Sequence, residues 1–241
     1  MLTSRIQQYL RSVVARGREP VPAGAFVLYV HPANPHPYLN YAIPLAAATG
    51  GNGAELIRAA RSRDLVPRLE YLESCFPWVE ESLSGDGFIR EGRLPVMTCS
   101  PDTLAGQAAD FELVLVEPRS SLVRPMLTVT GAAFGDPPPD DQEVAGWRGR
   151  AIAALLDGEL VGSASWTTVL DGMSEIAGVA VAEHARRRGI GSALTVAATR
   201  RAFAAGATLA LLTPGSDDSE RIYERAGFRT VTTMLHLKQP G

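Results

Sequence analysis

The sequence is poor in the residues that mark disulfide scaffolds, metal sites and nucleic-acid surfaces. Of its 241 residues only two are cysteines, Cys75 and Cys99, too few for a disulfide framework and without the spacing of a metal site. Lys238 is the only lysine, and the net charge of −3 argues against a surface that follows nucleic-acid phosphates. No apolar stretch approaches the roughly 20 residues that a membrane helix needs. These absences predict a protein with no metal, no nucleic-acid partner and no membrane span.

The composition is that of an ordinary globular protein, with 46% hydrophobic and 20% charged residues. At roughly 100–200 residues per domain, the length suits one large domain or two small ones. The small, turn-rich segment Ser100–Asp110 is the best candidate for a boundary. We therefore predict an N-terminal domain over residues 1–105 and a C-terminal domain over residues 106–241.

The N-terminal segment Met1–Pro20 has no apolar core of the signal-peptide type. Its apolar residues recur at helical spacing between arginines, at Ile6, Leu10, Val13 and Val14. Such a segment can be a transit peptide or a membrane-surface helix, but more often it packs as the first helix of a domain. Arginine in place of lysine and abundant alanine are typical of GC-rich bacterial genomes, so we expect a cytoplasmic protein.

The second half alternates predicted strands and helices. The strands are expected at Phe111–Val116, Ala151–Leu156, Glu159–Val169, Glu175–Val181, Thr208–Leu212 and Phe228–Leu237. The helices are expected at Leu122–Phe134, Glu143–Arg150, Gly189–Ala205 and Asp217–Ala226. Asp157-Gly158 and Asp171-Gly172 predict hairpin turns of type I′, in which both central residues have positive φ. Hairpins that lead into a β-α-β-α-β unit indicate an α/β fold, a mixed sheet with helices on both faces.

The first half resembles a degenerate copy of this ending. Its strands are expected at Tyr38–Ala47, at Pro67–Leu72 and from Gly87 to Met97, and its helices at Gly53–Arg63 and Trp78–Leu83. Gly87-Phe88 follows a predicted helix, as Gly227-Phe228 does in the second half. This order is consistent with a tandem of two similar halves.

The most distinctive motif is Arg186–Ser192 (RRRGIGS), where a predicted strand leads into a helix. Gly189 and Gly191 remove Cβ atoms where the backbone approaches a ligand, and nearby N–H groups point outward at the positive helix end. A pyrophosphate fits such an anion cradle. The P-loop motif needs a lysine, and the dinucleotide fingerprint needs glycine where Leu194 stands. The alternative is an ordinary helix start with surface arginines.

Together with the later motif Tyr223–Phe228 (YERAGF), this pattern resembles the GNAT superfamily of acyl-CoA-dependent N-acyltransferases. The resemblance covers about Phe111 to Leu237 and implies a GNAT-like mixed sheet, with the first half a degenerate GNAT-like copy or an accessory domain. It implies acetyl-CoA as the co-substrate and no metal. The implied contacts to pantetheine are Val179, Ala180 and Val181, and those to pyrophosphate are Arg186, Arg187, Arg188, Gly189, Ile190, Gly191 and Ser192.

The sequence departs from the family pattern in three places. Ala182-Glu183 stands where the family often has proline, and Ser216 stands where it commonly has asparagine. The Ser216 hydroxyl can still donate a hydrogen bond to the cofactor, although it reaches less far. The first half has Gly50–Gly53 at the comparable turn without nearby arginines, so it is not expected to bind a second cofactor in the same way.

The resemblance also implies two catalytic residues. Glu175, at the start of the central strand, would accept the proton of the amine, and Tyr223 would donate a proton to the CoA thiolate. The alternatives are a solvated glutamate beside a turn and a tyrosine that only packs. A backbone N–H near Val179 or Ala180 would stabilise the oxyanion.

The expected activity is transfer of an acetyl group from acetyl-CoA to an amine, by an N-acetyltransferase. The acceptor is expected to be a small molecule or a peptide, and the protein a monomer or homodimer. The alternative is a non-catalytic module that binds acyl-CoA as a sensor or scaffold.

Overall fold

The computed structural model describes residues 1–106 and 111–240 and divides the chain into two units. Unit 1 comprises Met1–Val96 and Thr230–Gly241, and unit 2 comprises Met97–Arg229. Residues 107–110, part of the predicted boundary segment, lie outside the described residues. The division into two domains at residues 105 and 106 stays a prediction.

The structure contains seven helices and eleven strands among its described residues, and those of the second half lie close to the predicted ranges. The helices are α1 (Leu2–Val14), α2 (Ala54–Arg61), α3 (Val79–Ser84), α4 (Val123–Phe134), α5 (Asp141–Gly146), α6 (Ile190–Ala204) and α7 (Asp217–Arg225). The strands are β1 (Glu19–Ala23), β2 (Phe26–Val30), β3 (Tyr41–Pro44), β4 (Arg68–Leu72), β5 (Ile89–Cys99), β6 (Glu112–Val116), β7 (Ala151–Leu156), β8 (Glu159–Trp166), β9 (Met173–Val181), β10 (Leu209–Leu212) and β11 (Arg229–Lys238).

In unit 1 the strand order is β1-β2-β3-β4-β11. The pairs are antiparallel except for β3 and β4, which are parallel. Helices α2 and α3 bury Leu56 and Leu83 against one face of these strands, where Leu69 and Leu235 lie. The other face carries a smaller cluster that includes Val14 of α1. Helix α1 therefore packs as the amphipathic pattern predicts.

In unit 2 the strand order is β5-β10-β9-β8-β7-β6, with β5 contributing its last residues. Strands β9 and β10 are parallel, and the other pairs are antiparallel. Helix α6 packs on one face through Leu194, beside Ile152 and Val161. Helix α4 covers the alternate residues on the other face, with Met126 against Ala153. The predicted mixed α/β sheet with helices on both faces is confirmed.

Each unit contains a strand segment from the other half of the sequence. In unit 2, Met97–Cys99 of β5 pair antiparallel with β10. In unit 1, Met234–Lys238 of β11 pair antiparallel with β4. Alternation of apolar residues predicts that a segment is a strand but does not identify its partner. The sequence pattern therefore did not predict this exchange.

Turn chemistry was predicted correctly, whereas the first hairpin was missed. The central residues of both Asp-Gly turns have positive φ, at 52° and 82° for Asp157-Gly158 and at 49° and 73° for Asp171-Gly172. The hairpin of β1 and β2 escaped the pattern because Pro20 and Pro22 interrupt β1. Proline is tolerated there because β1 lies at the end of the strand order, where some N–H groups need no partner.

Other differences concern the ends of elements. The strand predicted at Tyr38–Ala47 is confined to β3, because Pro37–Leu39 form a 3-10 turn. The helix predicted at Glu143–Arg150 starts earlier, as α5, because Asp140 caps it in a reciprocal capping box with Glu143. Strand β8 ends at Trp166, three residues before the predicted end at Val169.

Gly227→Ala should destabilise the protein strongly. Gly227 is buried with φ of +94°, and a Cβ built on it would overlap the backbone carbonyl oxygen of Thr103. The positive φ alone costs an alanine about 1–2 kcal/mol, and the overlap adds about 1–3 kcal/mol. The control is Gly158→Ala, which has φ of +82° and nothing within 4 Å of the added Cβ. Chemical denaturation should show the larger loss at Gly227, and equal losses would contradict the packing argument.

Candidate active site

The candidate site begins where the pairing of β9 with the parallel strand β10 ends. The pairing of β9 with β10 covers Met173–Glu175, opposite Leu209–Leu211. Strand β9 then continues to Val181, whereas β10 ends at Leu212. The edge of β9 beyond Glu175 thus extends past its pairing with β10. Its backbone N–H and C=O groups are available there to an extended ligand.

A β-bulge lies in the same segment of β9. Ser163 and Ser165 of β8 pair with Ala180 and Ala177, so that β9 has one residue more than β8 between the two pairs. Gly178 lies in this interval with φ of +59°, which favours glycine. The Ser165 hydroxyl donates a hydrogen bond to the Ala177 carbonyl at 2.9 Å. The bulge therefore changes the direction of the backbone groups next to Val179.

The first turn of α6 presents several backbone donors. Gly189 is its N-cap, with φ of +83°, and Arg187 also has positive φ, of 63°. The first helical hydrogen bond runs from the Ala193 N–H to the Gly189 carbonyl at 3.0 Å. The N–H groups of Ile190 and Gly191 therefore have no partner within the helix, and no side chain caps it.

The charges around this turn differ from those at helices α5 and α7. The first turn of α6 contains no acidic residue, and three exposed arginines precede it. By contrast, the first turn of α7 contains Asp217, Asp218 and Glu220, and that of α5 contains Asp141 and Glu143. Acidic side chains are the usual complement to a positive helix end. At α6 no acidic side chain of the first turn offsets the positive helix end, which can therefore attract an anionic ligand.

These elements surround one cleft of about 1010 Å³. The predicted site residues that line it are Val179, Ala180, Val181, Arg186, Arg187, Gly189, Ile190, Gly191, Ser192, Ser216 and Tyr223. Among the described residues that line it, Arg188 and Glu175 are not found. The structure thus brings together most of the predicted cofactor contacts and one of the two predicted catalytic residues.

The two α7 residues of the site have different local roles. Ser216 is the N-cap of α7, and its hydroxyl accepts a hydrogen bond from the Ser219 N–H at 3.3 Å. Tyr223 is buried, with 8% of its surface exposed, and its ring lies 6.3 Å from that of Phe228. Burial raises the pKa of the Tyr223 phenol above its ordinary value of 10. The phenol is therefore protonated at neutral pH and can donate a proton.

Glu175 lies on β9 just before the bulge and is half-buried. Both backbone groups of Glu175 bond to Thr167. The Thr167 hydroxyl accepts from the Glu175 N–H at 2.8 Å, and the Thr167 N–H donates to the Glu175 carbonyl at 2.9 Å. Because side chains alternate along a strand, that of Glu175 projects from the face opposite to Ile176, which packs in the core with α6.

Several residues of the cleft were not predicted. Ala133 and Phe134 reach it from the end of α4, and Phe134 is 61% exposed. Arg221 and Arg225 of α7 also line it. The spacing of these two arginines by four residues, around Tyr223, would place them on one side of a helix and could have identified them. No comparable pattern marks Phe134, which follows an ordinary apolar helix.

No helix in the described part of the chain is long and apolar enough to cross a membrane. The described residues also contain no group of three or more histidine, cysteine, aspartate or glutamate side chains that could hold a metal ion.

Residues 122–228 match the model of the acetyltransferase (GNAT) family. A GCN5-related N-acetyltransferase from Kribbella flavida is 30% identical, with a TM-score of 0.80, over 99% of this chain and 96% of its own. One from Sphaerobacter thermophilus is 16% identical, with a TM-score of 0.67, over 97% and 86%. A tandem GNAT protein from the clavulanic acid biosynthesis pathway is 14% identical, with a TM-score of 0.61, over 91% and 80%. The last two show likeness of fold alone.

No curated protein sequence matches the chain significantly. The 30% identity to the Kribbella flavida enzyme over nearly the whole length of both chains nevertheless assigns the family. The chain belongs to the GNAT family of N-acetyltransferases and is an acyltransferase.

Proposed function

We propose that the protein transfers an acetyl group from acetyl-CoA to the amine of a small molecule or peptide. The observation that carries the proposal is the cleft that joins the edge of β9 beyond Glu175, the first turn of α6 and the Tyr223 side chain. Together these supply an extended backbone edge, an anion cradle and a proton donor. A thioester with a pantetheine arm and a pyrophosphate needs all three.

In this proposal the cofactor lies along β9 and across the start of α6. Val179 and Val181 offer backbone groups to the pantetheine amides, in the manner of an added strand. The N–H groups from Gly189 to Ser192, with Arg186 and Arg187, hold the pyrophosphate. Arg188, which does not line the cleft, adds to the positive field without a contact. Ser216 caps α7, and we assign it a secondary contact at most.

Three proton transfers accompany the proposed reaction: one from the ammonium, one to the departing sulfur and one from the nitrogen as the amide forms. An alkylammonium has a pKa of about 10.4, so that neutralising it at pH 7 costs roughly 4–5 kcal/mol and requires a base. We assign that role to Glu175, supported by its position on β9 just before the bulge. The neutral amine nitrogen then bonds to the thioester carbon as the C–S bond breaks, and the Tyr223 phenol gives its proton to the departing sulfur. The nitrogen loses its second proton as the amide forms, and that proton restores the Tyr223 phenol through solvent. A backbone N–H near Val179 or Ala180 stabilises the charge on the carbonyl oxygen.

We propose that the first half is a degenerate GNAT-like or accessory domain that holds no second cofactor. Strands β3 and β4 with α2 between them repeat the parallel arrangement of β9, α6 and β10. At the start of α2, however, the Gly53 N–H donates to Asp86 Oδ2 at 2.5 Å. A Cβ on Gly53 would lie 2.6 Å from the Phe88 ring, so this glycine serves internal packing. The chain itself thus supplies a carboxylate at the start of α2, whereas it supplies no side-chain cap and no acidic residue in the first turn of α6.

Composition typical of a GC-rich bacterial genome supports a cytoplasmic location, and we keep the expectation of a monomer or homodimer. The acceptor amine is the part of the proposed reaction to identify next. It is best identified by direct assay, because we assign most of the predicted cleft residues to the cofactor.

The activity is tested by following free CoA chromatographically while the protein is incubated with acetyl-CoA and a panel of amines. At least one amine should accelerate CoA release well above the amine-free rate, with an N-acetylated product detected by mass spectrometry. Chromatography avoids thiol reagents, which the two free cysteines, Cys75 and Cys99, would also consume. Saturable acetyl-CoA binding without release for any amine would favour the sensor or scaffold alternative.

Gly191→Glu should weaken acetyl-CoA binding in a protein that still folds. A Cβ at Gly191 meets only Val181 Cγ2, at 3.7 Å, an ordinary contact, so that the substitution fits. The added carboxylate would repel the pyrophosphate in the cradle. The matched control is Gly191→Gln, which has the same size without the charge and should lose less affinity.

Calorimetry on the wild-type chain should give one cofactor per chain, because the first half is not expected to bind a second one. The same method measures the affinity of the Gly191 variants. Unchanged affinity in a folded Gly191→Glu protein would remove the cradle from the proposal.

Tyr223→Phe should lower kcat by roughly 100-fold or more with little change in acetyl-CoA affinity, the usual scale for loss of a general acid. Phenylalanine keeps the ring and its contact with Phe228 and deletes only the hydroxyl. Loss of stability at a wild-type rate would instead indicate a structural hydroxyl.

The same kinetic assay tests the proposed base. Glu175→Gln should lower kcat at neutral pH and recover in part at alkaline pH, where more of the amine is neutral in solution. A wild-type rate in this variant would end the claim for Glu175.

A further inference from the structure

Unit 1 carries a group of charged side chains on one face of β4 and β11. Arg68 pairs in register with Lys238, and Glu70 pairs with His236. Alternate residues of the same strands, such as Leu69, pack into the apolar core on the opposite face. Arg68, Glu70, His236 and Lys238, together with Glu91 of β5, form what we call the β4–β11 polar cluster. None of these five residues lines the cleft of unit 2.

The two cations of the cluster share the Glu91 carboxylate, whereas the second carboxylate, that of Glu70, lies beside His236. Arg68 Nη1 lies 2.5 Å from Glu91 Oε2, and Lys238 Nζ lies 3.2 Å from Glu91 Oε1. One carboxylate is thus shared by two cations. The Arg68 side chain is only 4% exposed, so that water solvates its charge poorly. A buried guanidinium that shares its carboxylate partner with a second cation favours an anionic ligand.

One edge of the Arg68 guanidinium has no partner. Nε and Nη2 are both buried and make no hydrogen bond with any described residue. These two nitrogens form the side of a guanidinium that takes a carboxylate in two parallel hydrogen bonds. The chain shows that geometry elsewhere, since Arg90 Nε and Nη2 bind the two oxygens of Glu80 at 2.7 and 2.8 Å. At Arg68 the same fork is directed to a group that the described residues do not supply.

Further groups beside the fork suit an oxyanion. Both ring nitrogens of His236 are buried, and neither makes a hydrogen bond among the described residues, although Nδ1 lies 3.5 Å from Glu70 Oε1. His236 and Arg68 are diagonal neighbours on the same face of an antiparallel pair. The Tyr38 ring covers the guanidinium at 4.6 Å and is itself 57% exposed. Tyr38 can therefore move without disturbing the core.

We propose that unit 1 binds the carboxylate group of a small molecule at the Arg68 fork. Arg68 Nε and Nη2 donate to the two carboxylate oxygens, and His236 donates an additional hydrogen bond. Tyr38 moves aside for entry and then packs over the bound pair. The nearby carboxylates of Glu70 and Glu91 repel a dianion, which makes a monocarboxylate the better ligand than a phosphate.

The test uses carbon-13-labelled acetate as the probe, observed by NMR line broadening and titration on the full chain. Wild type should bind acetate, and inorganic phosphate should compete poorly. Arg68→Lys keeps the charge and the ion pair with Glu91 but removes the fork, so acetate affinity should fall by at least about tenfold. The control is Arg90→Lys, which removes the fork that Glu80 binds and should leave acetate binding unchanged.

A second variant keeps the test decisive if Arg68→Lys fails to fold. Glu91→Gln removes the one carboxylate shared by both cations, so acetate should bind more tightly than to wild type. The proposal is overturned if wild type does not bind acetate, if Arg68→Lys binds it as well as wild type does, or if Glu91→Gln leaves the affinity unchanged. Phosphate that displaces acetate with equal affinity would overturn the choice of a carboxylate. These readouts do not depend on acyl transfer.

Discussion

The separation of β9 from β10 beyond the pair Glu175–Leu211 is the constraint on which the active site depends. Strand edges in a sheet interior have their N–H and C=O groups paired, so a ligand can pair there only where a neighbour has ended. The bulge at Gly178 falls in this same stretch and breaks the ladder with β8 as well. Val179 thus follows a point where the strand is released on both sides. A parallel sheet without this defect would offer no backbone groups to an extended cofactor.

Electrostatics is the reason why we assign the proposed pyrophosphate to the start of α6. Helices α5 and α7 complement their own positive ends with acidic side chains and capping boxes, which stabilise them internally. Helix α6 starts on a glycine with no side-chain cap and no acid in its first turn. The arginines before it make the local potential still more positive. This arrangement gives up stability at a helix end, as functional sites commonly do.

Much of the lining of the cleft could be predicted from the sequence, because two glycines beside a run of arginines at a strand-to-helix junction favour an anion site. The Asp-Gly turns were equally predictable, since few residue pairs tolerate two positive φ values. The Gly178 bulge was not, because a glycine within an apolar strand does not reveal the register of its neighbour. The capping role of Ser216 and the reach of Phe134 into the cleft depend on tertiary placement. So does the exchange of strand segments between the two units.

The two halves show one arrangement of strand, glycine and helix with open space in one place and close packing in the other. Both place glycines before a helix that follows a parallel strand. At Gly189 a Cβ would meet nothing within 4 Å, whereas at Gly51 it would lie 2.5 Å from Ala25 Cβ. Gly51 and Gly53 are therefore required by close packing, and the Gly53 N–H before α2 already donates to Asp86. A glycine motif indicates a ligand only where the space beside it is open. In unit 1 the Arg68 guanidinium instead presents two unsatisfied donors on the sheet face.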